Sequence, residues 1–209
     1  GKVTLAAISL MPEDNIEGFR PDVIALLKEL DSPIYRWPGG NFVSGYDWKD
    51  GIGNPDARPT RYERAWNGLE YNDVGIHEFM QLCEILDAEA NIAVNTGLGD
   101  AALAANEVEY FNGAATTPMG KRRAANGHPE PYDVQLWAVG NEMFGDWQLG
   151  HMPIKEYVKK HNKVAEAMWA VDPDIDLIAV GYPGEWNDMM YQNTAENMTY
   201  ISEHFYRQD

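Results

Sequence analysis

Cysteine is almost missing from this sequence: Cys83 stands alone among 209 residues, so no disulfide can form within the chain. Stability has to come from packing, and Cys83 itself is expected as a small apolar residue on the inner side of a helix. Basic residues are scarce too. Sixteen Lys and Arg stand against 33 Asp and Glu, a formal net charge of -17. Nucleic acids and anionic membranes are held by cations that neutralise phosphates, so neither partner is expected. The longest apolar runs are strand-sized, so no transmembrane helix is indicated. No two of the five histidines stand three or four residues apart, which removes the usual metal-ligand spacing. Gly51-Ile52-Gly53 lies inside a long loop, not between a strand and a helix, so no phosphate cradle is read there. Neither a metal nor a cofactor is expected.

What is present describes a globular chain. Hydrophobic residues make up 44% and charged residues 23%, and the length suits one domain. Val3 to Met11 is apolar without an assignable pattern. Arg20-Pro21-Asp22 opens a helix carrying Val23, Leu26, Leu27 and Leu30, and Ser32-Pro33 ends it. Ile34–Trp37 reads as a strand broken by Pro38-Gly39-Gly40, with a loop to about Asn72 rich in aromatic residues. Asp73 is expected to cap a helix whose apolar positions include Ile76, Phe79, Met80, Cys83 and Leu86. Further strands are expected over Asn91–Asn95, Val134–Val139, Asp176–Gly181 and Tyr200–Tyr206, and helices from Asp100, from Pro153 and over Met189–Met198. Gly113 to Asp133 reads as a loop whose Lys121-Arg122-Arg123 is a solvated basic patch. Strand and helix alternate, which predicts a parallel sheet with helical crossovers, doubly wound or barrel-like.

Chemistry gathers where the strands end. The third strand stops at Gly140-Asn141-Glu142, an amide and a carboxylate walled by Met143, Phe144 and Trp147. In parallel sheets the carboxyl end of the strands is where ligands bind. Alone, Asn-Glu is more often a helix cap with a first-turn acid. The other strand ends repeat the pattern, with Arg36, Asn41 and Trp48, then Asn95, then His204 and Tyr206. Amides, indoles and phenols at one edge suit a neutral polyhydroxyl ligand. Alternation along the last strand puts Ser202, His204 and Tyr206 on one side, so Glu203 points to the covering helices and is not cast as a second catalytic carboxylate.

These residues carry a resemblance. Arg36-Trp37-Pro38-Gly39-Gly40-Asn41-Phe42-Val43-Ser44-Gly45-Tyr46, Asp50-Gly51-Ile52-Gly53, Val139-Gly140-Asn141-Glu142-Met143, Gln148-Leu149-Gly150-His151 and Ile201-Ser202-Glu203-His204-Phe205-Tyr206 resemble the α-L-arabinofuranosidases of glycoside hydrolase family 51. The resemblance implies a (β/α)8 TIM barrel and a retaining glycosidase that removes terminal α-L-arabinofuranosyl groups from arabinan or arabinoxylan oligosaccharides. It makes Glu142 the general acid/base and places Asn141 at the sugar 2-hydroxyl and Tyr206 near the nucleophile. It further implies Arg36 as a support of the site, Asn41 and Trp66 in the pocket wall, and His204 lining or backing the pocket.

About five of the eight parallel strands are read here, so residues 1–209 are expected to be part of the catalytic barrel, truncated at both ends. The nucleophile is then expected on a strand beyond Asp209, and the 209-residue piece alone is expected to be inactive. Relatives of this kind are commonly oligomeric, leaving room for a homo-oligomer of the full-length protein. Their frequent intracellular habit and the lone cysteine point to the cytoplasm. Two other readings stay open: a related barrel glycosidase (xylanase, glucanase or xylosidase), and a carbohydrate-binding protein without catalysis.

Overall fold

Five short apolar segments form the strands that organise the chain: β1 (Ile34–Trp37), β4 (Glu89–Ala93), β5 (Leu136–Val139), β6 (Asp176–Val180) and β7 (Tyr200–Ser202). The computed structural model describes residues 1–3 and 10–207. All neighbouring pairs run parallel, in the order β1-β4-β5-β6-β7. Spatial order equals chain order, so each helical crossover steps to the next strand in one direction, as in a barrel wall.

The crossovers are α2 (Ile76–Leu86), α3 (Ala101–Asn112), α5 (Ile154–Val171) and α6 (Glu185–Thr194), with α1 (Pro21–Leu30) preceding β1. Their apolar stripes bury the outer face of the sheet. Trp137, Val139, Ile92 and Leu177 meet Phe79, Val108, Phe111 and Val164 in one large cluster. A second cluster under α5 and α6 joins Met143, Tyr157, Trp186 and Met190 to the end of β6. The inner face is nearly bare: Ala93 and Ala138 form a small group with Val43, and Ile178 packs against it.

Several boundaries differ from the sequence reading. The cap of α2 is Gly75, not Asp73; Glu78 in the first turn accepts from the Gly75 amide at 2.8 Å. The long loop after β1 contains an antiparallel hairpin, β2 (Arg61–Glu63) with β3 (Gly68–Glu70). The last crossover helix runs Glu185–Thr194, four residues earlier than read, and β7 stops at Ser202.

The largest difference is α4 (Pro118–Ala125), in a stretch read as loop. Thr117 caps it, accepting from Gly120 N at 3.2 Å. Its Lys121 and Arg122 are exposed, as read, but Arg123 is fully buried, which corrects the reading of the whole Lys121-Arg122-Arg123 run as a solvated patch. The guanidinium donates to the carbonyls of Tyr110 (2.7 Å), Phe111 (3.2 Å), His128 (3.1 Å) and Pro129 (3.1 Å). Tyr110 and Phe111 lie in the last turn of α3, where free carbonyls and the helix dipole favour a cation.

Candidate active site

Glu142 sits just beyond the carboxyl end of β5, and the backbone there turns sharply. Gly140 has φ +100° and Glu142 φ +43°, two left-handed residues within three positions. A side chain at Gly140 would lie 2.0 Å from Thr96 Oγ1, so only glycine lets β5 end against the neighbouring strand's loop. For Glu142 a left-handed backbone is strained, and such strain persists where surrounding contacts hold it.

Those contacts are specific. His204 Nδ1 lies 2.7 Å from Glu142 Oε1. Trp147 Nε1 donates to Glu142 Oε2 at 2.9 Å. Gly145 makes room for that indole, because a Cβ there would meet the ring at 2.4 Å. The carboxylate is largely buried, its side chain 14% exposed. It is therefore gripped by one group that only donates and one that can give or take a proton, the chemistry needed to exchange a proton with a ligand.

Asn141 is buried beside it. Arg36 Nη1 donates to Asn141 Oδ1 at 3.1 Å, reaching across from β1. Asn141 Nδ2 donates to Gln148 Oε1 at 3.2 Å. A cleft of about 300 Å3, lined by Arg36, Asn141, Glu142, Phe144 and His204 among others, opens on the inner face of the sheet. That volume is at the small end of the usual range for ligand sites, about 300–1,000 Å3.

The other expected residues divide. Asn41 lies next to the site, yet its amide clamps the loop after β5, donating to Trp147 O (2.7 Å) and accepting from Leu149 N (2.8 Å). Trp66 is on the turn of the β2–β3 hairpin, 72% exposed, and its ring passes 3.9 Å from where a Gly40 side chain would begin. Tyr206 follows β7 and is exposed. Removal of water lowers the Arg36 pKa, and the charges of Glu142 and Tyr206 oppose that change, so both groups lie within electrostatic reach of the guanidinium. Glu203, expected to face the covering helices, accepts from Asn187 on α6 yet also lines the cleft that holds Glu142, because β7 ends at Ser202 and strand alternation does not extend to it. Two polar strand-end residues have structural employment. Trp48 is buried and donates to Leu103 O (3.1 Å), and Asn95 ties Tyr46 to Leu98 and Gly99.

Gln148 and Ser44 were not singled out from sequence, although both lie inside the motifs quoted above. Both are buried, and Gln148 Nε2 donates to Ser44 Oγ at 2.6 Å. Among the described residues no group of three or more His, Cys, Asp or Glu is placed to hold a metal ion. No helix among them is long and apolar enough to cross a membrane.

Comparison with known proteins fits this geometry. The family model of the alpha-L-arabinofuranosidase 1 domain matches residues 26–209. The intracellular exo-α-(1→5)-L-arabinofuranosidase 1 of Bacillus subtilis (strain 168) is 41% identical over 202 residues, covering 93% of this chain and 40% of that protein. An exo-α-(1→6)-L-arabinofuranosidase of Bifidobacterium longum is 39% identical over 203 residues, covering 93% of this chain and 39% of its own length. Among solved structures, an α-L-arabinofuranosidase from Thermotoga maritima in an arabinose complex aligns with a TM-score of 0.89 at 41% identity, over 94% of this chain and 41% of that one. The thermostable GH51 α-L-arabinofuranosidase of Thermotoga petrophila RKU-1 gives 0.91 at 42% identity, over 95% and 42%. The chain thus spans about two fifths of the length of the relatives it matches. By the match over residues 26–209 and these identities, the chain belongs to the family 51 α-L-arabinofuranosidases, built on the TIM barrel.

Proposed function

We propose that the protein containing this chain is a retaining exo-α-L-arabinofuranosidase, with Glu142 as its general acid/base. The observation that carries the reading is the carboxyl of Glu142, held between His204 and Trp147 at the ligand end of β5. In a retaining mechanism one carboxyl protonates the leaving oxygen, then deprotonates the incoming water. The indole of Trp147 can only donate, so it occupies a lone pair of Oε2. The mobile proton is carried on Oε1 or on the remaining lone pair of Oε2. His204 touches Oε1 and supports either protonation state, as donor or acceptor. Asn141, beside the carboxyl, donates to the 2-hydroxyl of the furanose. Arg36 holds Asn141, and Trp66 and Asn41 form the wall towards the leaving group.

Retention also requires a second carboxylate about 5–5.5 Å from the first. Glu203 lines the cleft but its carboxylate accepts from Asn187 on α6, and the chain spans only about two fifths of the relatives it matches. The nucleophile is therefore assigned to a residue outside these 209, on a later strand near Tyr206, and the isolated chain is inactive on aryl arabinofuranosides. The substrate is a terminal α-L-arabinofuranosyl group on an arabinan- or arabinoxylan-type oligosaccharide. The location is the cytoplasm, supported by relatives named intracellular.

The test uses Glu142→Ala in the complete protein. Hydrolysis of an arabino-oligosaccharide, which needs leaving-group protonation, falls by about 10^2–10^4-fold. Added azide restores turnover of a 4-nitrophenyl arabinofuranoside and yields α-L-arabinofuranosyl azide. Full oligosaccharide activity in the variant, or no azide product, removes Glu142 from this role. Faster turnover of xylopyranosides than arabinofuranosides by the wild type points instead to another barrel glycosidase, and binding without any turnover to a carbohydrate-binding protein.

A further inference from the structure

A line of buried polar groups runs away from the cleft behind Asn141. Arg36 Nη1 donates to Asn141 Oδ1 (3.1 Å), Asn141 Nδ2 to Gln148 Oε1 (3.2 Å), and Gln148 Nε2 to Ser44 Oγ (2.6 Å). Ser44 in turn points its hydroxyl at Met143 Sδ, 3.9 Å away. Asn141, Gln148 and Ser44 are 2%, 1% and 0% exposed. Gln148 and Ser44 do not line the cleft; Asn141 does.

The direction of every bond in this line follows from its first member. A guanidinium has donors only, so the Asn141 atom facing Arg36 is the carbonyl oxygen. The amide nitrogen must then face Gln148, which must present its own oxygen. Gln148's nitrogen is left for Ser44, which must accept, and the serine proton goes to the weak sulfur acceptor. No member can be turned over without placing donor against donor in a buried site, where an unmatched polar group is costly. One hydrogen on Asn141 Nδ2 is used by Gln148, and the second is left for a ligand.

We propose that Gln148 and Ser44 are positioning residues: Arg36 sets which end of the Asn141 amide faces β1, and Gln148, braced by Ser44, holds the amide at the angle that presents its free N–H to the sugar hydroxyl. Neither residue touches substrate. Their effect is exerted through Asn141, and the inference rests on the role given above to Asn141 at the 2-hydroxyl. It predicts that losing Gln148 matters only as far as the sugar has a hydroxyl for Asn141 to bind.

The experiment compares 4-nitrophenyl α-L-arabinofuranoside with its 2-deoxy analogue, using the complete enzyme. Gln148→Met and Ser44→Ala, the latter the smaller change should the former fold poorly, are each expected to lower kcat/KM on the parent sugar by about 10-fold or more. On the 2-deoxy sugar the loss shrinks to less than about threefold. Gln148→Glu, which keeps an acceptor for Asn141 Nδ2, recovers most of the lost discrimination. Asn141→Ala is run in parallel. If Asn141→Ala depends on the 2-hydroxyl while Gln148→Met and Ser44→Ala cost the same on both sugars, the positioning role is overturned and the reading of Asn141 survives. If Asn141→Ala is itself indifferent to the 2-hydroxyl, that reading fails and takes this inference with it.

Discussion

Replacing Arg123 by Met tests whether its buried guanidinium holds the turn between α4 and β5. The guanidinium is 0% exposed and makes hydrogen bonds to four backbone carbonyls, two of them at the end of α3. A hydrogen bond involving a charged group contributes about 1.5–3 kcal/mol, and four such bonds do not add fully because they share one donor group. Against them stands the cost of keeping the charge out of water, which the methionine no longer bears. What remains in the variant is the penalty for carbonyls left without donors, some regained by water. A net loss of about 3–5 kcal/mol is expected. For a chain of this size 1 kcal/mol moves Tm by about 2–4 °C, so the expected drop is about 6–20 °C. The control is its neighbour Arg122, which is exposed and should change Tm by no more than about 1–2 °C when replaced by Met. Thermal or urea unfolding of the two variants side by side decides the matter. Equal, small shifts for Arg122→Met and Arg123→Met would mean that the carbonyls find other partners and that the guanidinium is not what closes this turn.

Other consequences follow from the remaining buried groups. His161 is fully buried and its pKa is lowered to about 4 by loss of solvent, against 6.5 ordinarily. The unfolded chain therefore takes up a proton first, so stability is lost as pH falls from above 6.5 towards about 4, by roughly 3 kcal/mol; urea midpoints across that range should show it, and His161→Phe should flatten the slope. A slope unchanged in that variant would assign the effect to other groups such as His77, also held near 4 by burial. Burial pushes the Cys83 thiol up to about 11, so a thiol reagent at pH 8 should modify it only on unfolding; rapid labelling of the native protein would contradict the packing of α2. Trp147→Phe keeps the ring and removes the donor to Glu142, and should lower kcat/KM on arabino-oligosaccharides about 5–10-fold with a smaller effect on aryl substrates, read from paired kinetics.

The sheet was legible because its strands are short apolar runs bounded by proline, glycine and asparagine, and the observed β5 and β6 lie within the segments read for them. The α4 helix was not, since Pro118-Met119-Gly120-Lys121-Arg122-Arg123-Ala124-Ala125 has no apolar stripe. Besides Met119, which packs against the core, it is held by a buried arginine whose partners are main-chain atoms, and main-chain atoms leave no trace in the sequence. Thr117-Pro118 was the available signal, a cap followed by a first-turn proline. At the site, Glu142, Asn141, Arg36 and His204 were legible because each lies at or just past the ligand end of a strand, and the structure brings them together. The β7 strand ends before His204, so its approach to Glu142 depends on the path of the following segment, not on strand alternation. Gln148 and Ser44 lie 104 positions apart, and nothing local announces that an amide and a hydroxyl so far separated will meet.

The grip on the Glu142 carboxyl comes from two places at once, an indole five residues along the same loop and an imidazole 62 residues away, past the end of the second strand over. The proton-handling group is thus a joint between two pieces of chain, owned by neither. Anyone transplanting residues 140–152 into another barrel would carry the carboxyl and its indole but leave the imidazole behind. A working graft has to bring the far histidine with it.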